Sequence, residues 1–240
     1  MAEIIPAILE TTYTGFVNKL EQLVGLVDTV QLDICDGVFV PTVSWPYTAP
    51  MKADEPNHYD EFMKDIIVGN GDVDMPMWED FDFELDLMIA DPKRLLPDLL
   101  TIGPSRIIFH YEAFTDLHTE IYDIAKTIPP LVEVGIAINV DTNPEVLFPL
   151  IDQKIFKFVQ CMGIDEIGKQ GQSFDAKVFE NINILRDRYP DLPIAVDGAV
   201  NLSDAKLLVE SGATRLVAGS AIFSAENIAD RVAEFTRVVQ

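Results

Sequence analysis

Basic residues are scarce in this 240-residue chain: 17 Lys and Arg stand against 40 Asp and Glu, for a formal net charge of −23. A field of that sign repels nucleic acid and anionic membrane surfaces, so neither is an expected partner. It also repels a phosphorylated metabolite at long range. Any phosphate site therefore has to be local and built largely from backbone N–H groups. Cysteine is nearly absent; Cys35 and Cys161 fall near strand ends and suggest no disulfide framework. Two free thiols fit a reducing cytoplasm. Met1-Ala2-Glu3 runs into an apolar strand rather than a basic, apolar leader, and the expected location is cytoplasmic. No apolar run reaches the length that crosses a bilayer.

What the chain does have is a repeated alternation of strand and helix. With 48% of its residues apolar, it can bury a large core as one domain spanning 1–240. Apolar strand-like runs fall at 3–9, 29–35, 82–89, 106–112, 133–139, 156–162, 193–197 and 214–219. Amphipathic stretches lie between them, such as Thr14–Val27, Pro92–Ile102, Ala176–Tyr189 and Ala225–Val239. Gly103 and Gly212 stand where a helix stops before a strand, and Asn143-Pro144 and Asn201 to Asp204 read as helix starts. Short apolar strands alternating with helices imply a parallel sheet buried on both faces. Eight such units close most simply into a (β/α)8 TIM barrel. An open doubly wound sheet is the alternative, but no Gly-x-Gly-x-x-Gly turn follows the first strand.

One connection breaks the rhythm. Residues 41–80, between strands two and three, run to twice what one helix with two short loops needs. They hold both tryptophans, Trp45 and Trp78, with His58 and a stretch near Tyr59–Ile67 that can be helical. One reading is an insertion packed on the barrel rim or on a second subunit; the other is a lid over the C-terminal face.

In such a barrel the C-terminal ends of the strands converge on one mouth, so those ends are where chemistry is expected. Strand two ends in Gln31-Leu32-Asp33-Ile34-Cys35, strand three in Glu84-Leu85-Asp86-Leu87-Met88, and strand seven in Val196-Asp197-Gly198. Residues two apart share a face, so an inward Asp33 brings Gln31 and Cys35 with it, and an inward Asp86 brings Glu84 and Met88. A carboxylate buried in a strand is costly unless it is paired, protonated or metal-bound. Convergence of Asp33, Asp86 and Asp197 with few cations nearby therefore points to a functional centre. Gly198 and Gly219-Ser220, after the last two strands, can bring backbone N–H groups to an anion. The run Gly168 to Phe174, which contains Gly171, is a third contributor after strand six.

Asp33-Ile34-Cys35-Asp36-Gly37-Val38-Phe39-Val40-Pro41 resembles the Asp-Val-Met-Asp-Gly-x-Phe-Val-Pro signature of the ribulose-phosphate 3-epimerase family. Leu87-Met88 with Asp91-Pro92, Phe109-His110-Tyr111-Glu112-Ala113 and Gly171-Gln172-Ser173-Phe174 are similar to other segments of that family. So are Asp197-Gly198 and Val217 to Phe223, and the resemblance covers nearly the whole chain. It implies inversion of the carbon next to a ketone in a pentulose 5-phosphate. One aspartate removes a proton to give an enediolate, and a second returns a proton on the opposite face. Asp33 and Asp197 match that pair, and Gly171, Gly198, Gly219 and Ser220 match phosphate-binding positions. The family also implies a divalent metal held by two His and these two Asp.

The departures fall on that metal. Gln31 and Asp86 stand where the family has its histidine ligands, and neither His58, His110 nor His118 replaces them by sequence position. Zinc prefers imidazole or thiolate, whereas Gln31, Asp33, Asp86 and Asp197 offer oxygen only and suit Mg²⁺, Mn²⁺ or Ca²⁺. The alternative is that no metal binds and one carboxylate stays protonated among its like-charged neighbours. Ala7, Cys35 and Ala199 replace the family's Ser, Met and second Gly. The expected function is an epimerase or isomerase acting on a phosphorylated ketose. A non-catalytic phosphosugar-binding barrel and a Mg²⁺-dependent lyase-type enzyme stay open beside it. The helical exterior is compatible with a homo-oligomer.

Overall fold

A computed structural model describes residues 2–69, 74–169 and 171–240. Residues 70–73 of the long connection and Gln170 of the strand-six loop lie outside the described residues. Among the described residues, eight parallel strands close into a barrel in sequence order. They are β1 (Glu3–Ile8), β2 (Thr29–Cys35), β3 (Asp82–Met88), β4 (Arg106–His110), β5 (Glu133–Ile138), β6 (Phe158–Met162), β7 (Ile194–Asp197) and β8 (Arg215–Ala218). The barrel shuts where β8 pairs with β1, Glu3 opposite Arg215 and Pro6 opposite Ala218. The helices are α1 (Tyr13–Glu21), α2 (Glu61–Val68), α3 (Pro92–Leu99), α4 (Leu117–Ala125), α5 (Phe148–Asp152), α6 (Val178–Arg188), α7 (Leu202–Glu210), α8 (Ser220–Phe223) and α9 (Ile228–Val239). This is the (β/α)8 TIM barrel that the alternation predicts. None of the helices, among the described residues, is long and apolar enough to cross a membrane.

Local chemistry sets the helix limits. Thr12 caps α1 by accepting from the Gly15 N–H, and Asn201 caps α7 by accepting from the Ser203 and Asp204 N–H groups. The first helix is shorter than its apolar pattern, ending at Glu21 rather than Val27, because the chain turns there through Gly25 at φ +75°. Asn143 caps a 3₁₀ turn (Pro144–Leu147) rather than an α-helix directly. The physical reason is Pro149, which has no N–H to continue a helix begun at Pro144. Strand four stops at His110 instead of residue 112, since Tyr111–Ala113 close into a 3₁₀ turn.

The barrel floor is plugged. Phe158 fills it so closely that a Cβ on Gly135 would lie 2.3 Å from the ring. Beside it Glu84 is fully buried, bound by both guanidinium nitrogens of Arg215 and by Arg106 at 2.9 Å. Arg215 and Arg106 reach outward to Glu3 (3.1 Å) and Glu133 (2.6 Å) in turn. The paired ionic layer and Phe158 fill the floor of the barrel, and a cavity opens at the C-terminal mouth.

The long connection grips the outside of the barrel. Ser44 Oγ accepts from the Cys35 N–H (2.8 Å) and donates to the Asp33 carbonyl (2.6 Å), which fixes the end of β2 where Asp33 sits. Trp45 stacks on Phe16 of α1 at 4.6 Å and donates its indole N–H to Asp60 (2.8 Å). Tyr59 donates to Asp98 of α3 at 2.9 Å. Val40 packs beneath Gly168, and Thr42 Oγ1 donates to the Gly168 carbonyl at 2.5 Å. That contact ties the loop after β2 to the loop after β6.

Candidate active site

The parallel register explains how the acids meet. Gln31 pairs with Glu84, Asp33 with Asp86 and Cys35 with Met88, so one inward face of two adjacent strands carries both Asp33 and Asp86 at the mouth end. Asp197, the last residue of β7, completes the group from across β8 and β1. Carboxylate oxygens of Asp33, Asp86 and Asp197 all lie within 4.8 Å of one another, an arrangement that can hold a metal ion. Gln31 sits between them. Its Nε2 donates to Asp33 Oδ1 at 2.9 Å and to Asp197 Oδ2 at 2.7 Å. Asp86 is fully buried and meets His110 Nε2 at 2.9 Å.

The cavity at the mouth opens onto Asp33 and Asp197 but not onto Asp86. Gly171, Gly198, Gly219 and Ser220 all line it as well, with Met88, Met162 and Ile164 as an apolar wall. The four glycine and serine positions singled out from sequence are therefore gathered round one space with the two aspartates. Among the described residues, none from 41–80 lines this cavity. Gly198 has φ +100°, and Ala199 follows at φ +54°, a left-handed conformation that an L-residue with a Cβ adopts at a cost.

Burial and mutual repulsion change the acids. Burial pushes the Asp33 carboxyl well up, and the charges of Asp197 and Asp86 push it further. Burial and then the Asp86 charge raise Asp197 to about 7. The pair therefore retains a proton at neutral pH, where ordinary carboxyl groups have lost theirs. One neutral and one ionised member is the state an acid–base pair requires. For His110, burial favours the neutral ring, but the Asp86 carboxylate outweighs it and the net shift is upward. Burial raises Cys161 to about 12, and Cys35 is pushed well up as well, so neither thiol is a nucleophile.

Sequence reasoning misses two members of this centre. His110 cannot take a missing ligand's sequence position, yet it stands against Asp86. Its place at the end of β4, two residues from the inward Ile108, is the signal that could have found it. Gln160 reads from sequence only as part of an apolar strand. Its Nε2 lies 3.3 Å from Asp86 Oδ2 and 3.4 Å from Asp197 Oδ2. A lone amide inside Phe158–Met162, every residue of which is buried, is the signal there.

Fold and site together define a (β/α)8 barrel with an acidic centre at its mouth. The profile of the ribulose-phosphate 3 epimerase family matches residues 57–223, and the chain belongs to that family. It is 30% identical over 233 residues to ribulose-phosphate 3-epimerase of Schizosaccharomyces pombe, covering 94% of this chain and 89% of the relative. Identity is 27% to the cytoplasmic isoform of Oryza sativa subsp. japonica, covering 100% and 95%, and 28% to the Bacillus subtilis epimerase, covering 93% of each. Among solved structures, 3-hexulose-6-phosphate synthase from Salmonella typhimurium superposes with a TM-score of 0.69 at 14% identity, over 99% of this chain and 98% of that one. KGPDC from Streptococcus mutans does so at 0.65 and 14%, over 100% and 97%. At those identities the two structures speak for the fold alone.

Proposed function

We propose that the protein epimerises a phosphorylated ketose of the ribulose 5-phosphate type, with Asp33 and Asp197 as its acid–base pair. The observation that carries this reading is the pair itself. Two carboxyl groups from β2 and β7, joined through Gln31, open onto a cavity ringed by Gly171, Gly198, Gly219 and Ser220. Gln31 holds one oxygen of each aspartate and leaves Asp33 Oδ2 and Asp197 Oδ1 without a side-chain partner among the described residues. The ionised member takes the proton from C3. The electron pair of the broken C–H bond moves into a C2–C3 double bond, and negative charge passes to the ketone oxygen. The neutral member then gives its proton to C3 from the other side. The two aspartates have exchanged protonation states and are set for the reverse reaction. Backbone N–H groups at the glycines and Ser220 hold the phosphate, the local grip that a chain of net charge −23 needs. In this reading the 41–80 connection braces the end of β2 through Ser44.

A hard divalent cation fits the donors. Gln31 Oε1 is buried and has no partner among the described residues, while the other end of the same amide lies 2.7 and 2.9 Å from two carboxylate oxygens. With the amide in its other orientation, Gln31 Oε1 would join Asp33, Asp86 and Asp197 in holding the ion. The set suits Mg²⁺ or Mn²⁺ over zinc, because His110 is already engaged by Asp86. When bound, such an ion supplies positive charge beside the oxygens on which the reaction develops negative charge.

The test is exchange of the C3 proton of ribulose 5-phosphate with solvent deuterium, with Mg²⁺, Mn²⁺ and Zn²⁺ supplied in turn. Exchange that Asp197→Asn abolishes is the expected result. Undetectable exchange with every metal overturns the reading, and phosphosugar affinity without exchange leaves a binding barrel in its place.

A further inference from the structure

Gln160 is fully buried in the middle of β6, and it does not line the mouth cavity. A primary amide is a poor choice for an apolar strand unless its hydrogen bonds serve something. Here they serve the two carboxylates. Gln160 Nε2 spans Asp86 Oδ2 (3.3 Å) and Asp197 Oδ2 (3.4 Å), while its Oε1 has no partner among the described residues. Asp197 Oδ2 is thus held from two sides, by Gln31 toward β2 and by Gln160 toward β6. Asp86 is held from two sides as well, by Gln160 and by His110 of β4. Of these four ties, the two made by Gln160 join Asp197 to Asp86.

We propose that Gln160 is a positioning residue of the epimerase reaction, fixing the rotamer of Asp197 so that its free oxygen addresses the substrate carbon. This rests on reading Asp33 and Asp197 as the acid–base pair. The consequence is directional. When Asp197 delivers the proton, a loosened carboxyl delivers late, and the enediolate persists. Asp33 then returns a proton to the face from which it came, after time to exchange that proton with solvent. Deuterium accumulates in recovered starting material at the expense of product. When Asp197 instead removes the proton, the same loosening slows both removal and return by Asp197, so the enediolate passes more readily to product through Asp33.

The experiment runs ribulose 5-phosphate and its C3 epimer separately in D₂O, with the wild-type protein, Gln160→Met and Gln160→Asn. The cation that supports the fastest wild-type exchange is supplied at saturation. Met keeps the length and removes the donor; Asn keeps an amide that is one methylene too short to span both carboxylates, and it carries the test if Met does not fold. Expected is a fall in kcat of about tenfold to a hundredfold, as for a catalytic group displaced by a fraction of an ångström. KM stays within about twofold, because Gln160 makes no contact with the cavity, and the melting temperature holds. The ratio of deuterium in recovered substrate to that in product rises severalfold in the direction in which Asp197 delivers the proton and falls in the other. An unchanged ratio in both directions overturns the proposal while leaving the wild-type exchange, and so the epimerase reading, intact. Equal changes in both directions together with a lowered melting temperature overturn it in favour of a packing role. Absence of exchange in the wild type overturns both.

Discussion

Replacing Asp197 with Asn should abolish exchange and at the same time stabilise the protein, by an amount that depends on pH. The folded carboxyl titrates at about 7 against an ordinary value of 3.8. The folded state thus holds this proton more tightly than the unfolded chain does, so its contribution to stability falls as pH rises from about 4 to about 7 and is level above that. A difference of about 3 pKa units corresponds to a ceiling of about 4 kcal/mol at pH 8 relative to a neutral side chain of the same shape. Asn is that side chain, and it keeps an oxygen for the Gln31 and Gln160 donors. In a domain of this length each kcal/mol moves the melting temperature by roughly 2–4 °C, so the ceiling on the gap is about 16 °C. Urea unfolding followed by fluorescence of Trp45 and Trp78, in EDTA, measures it at about pH 4.5, 6 and 8. The variant should gain on the wild type as pH rises. A gap that is the same at all three pH values, or a wild type more stable than the variant at pH 8, would refute the idea that this carboxyl is held up by burial and like charge.

Three other outcomes are expected. Arg215→Met removes the bidentate partner of Glu84, which is fully buried, and should cost about 3–5 kcal/mol in urea unfolding, since Arg106 alone is left to compensate it. Ala199→Gly relieves a Cβ at φ +54° and should raise stability by about 1 kcal/mol, read as a small upward shift of the melting temperature. Asp86→Ala should weaken Mn²⁺ binding, measured by titration calorimetry on the substrate-free protein, by at least about tenfold; unchanged affinity would remove the oxygen-donor cation site.

The fold was legible because it rests on periodicities that a chain displays locally. The strands are short apolar runs buried on both faces, and a helix start such as Asn201 carries its cap in the sequence. Asp33 and Asp197 were legible because each sits at a strand end in a recognisable motif. What was hidden depends on side chains meeting across the barrel. Gln160 and Asp197 are 37 residues apart and His110 and Asp86 are 24 apart, and neither separation is marked by any local pattern. Their union follows only from the register of β3 with β4 and of β6 with β7. The ion cage of Glu84 with Arg215, 131 residues apart, was hidden for the same reason.

That cage sharpens the meaning of the centre above it. Glu84 and Asp86 lie two residues apart on one strand, on the same inward face, and both are fully buried. Glu84 is matched by two guanidinium groups, the answer a barrel gives when a buried acid serves structure. Asp86 receives one imidazole and a shared amide, and Asp33 and Asp197 receive amides alone among the side-chain donors. The same interior therefore neutralises its acids fully at the floor and leaves them under-compensated one turn of the pleat higher, where the cavity opens. A third guanidinium at the mouth would pair these acids permanently, whereas uncompensated carboxylates stay open to a proton or to a divalent cation. Leaving the charge uncompensated keeps one proton in the centre at neutral pH when no cation is bound, the acid that the proposed inversion requires.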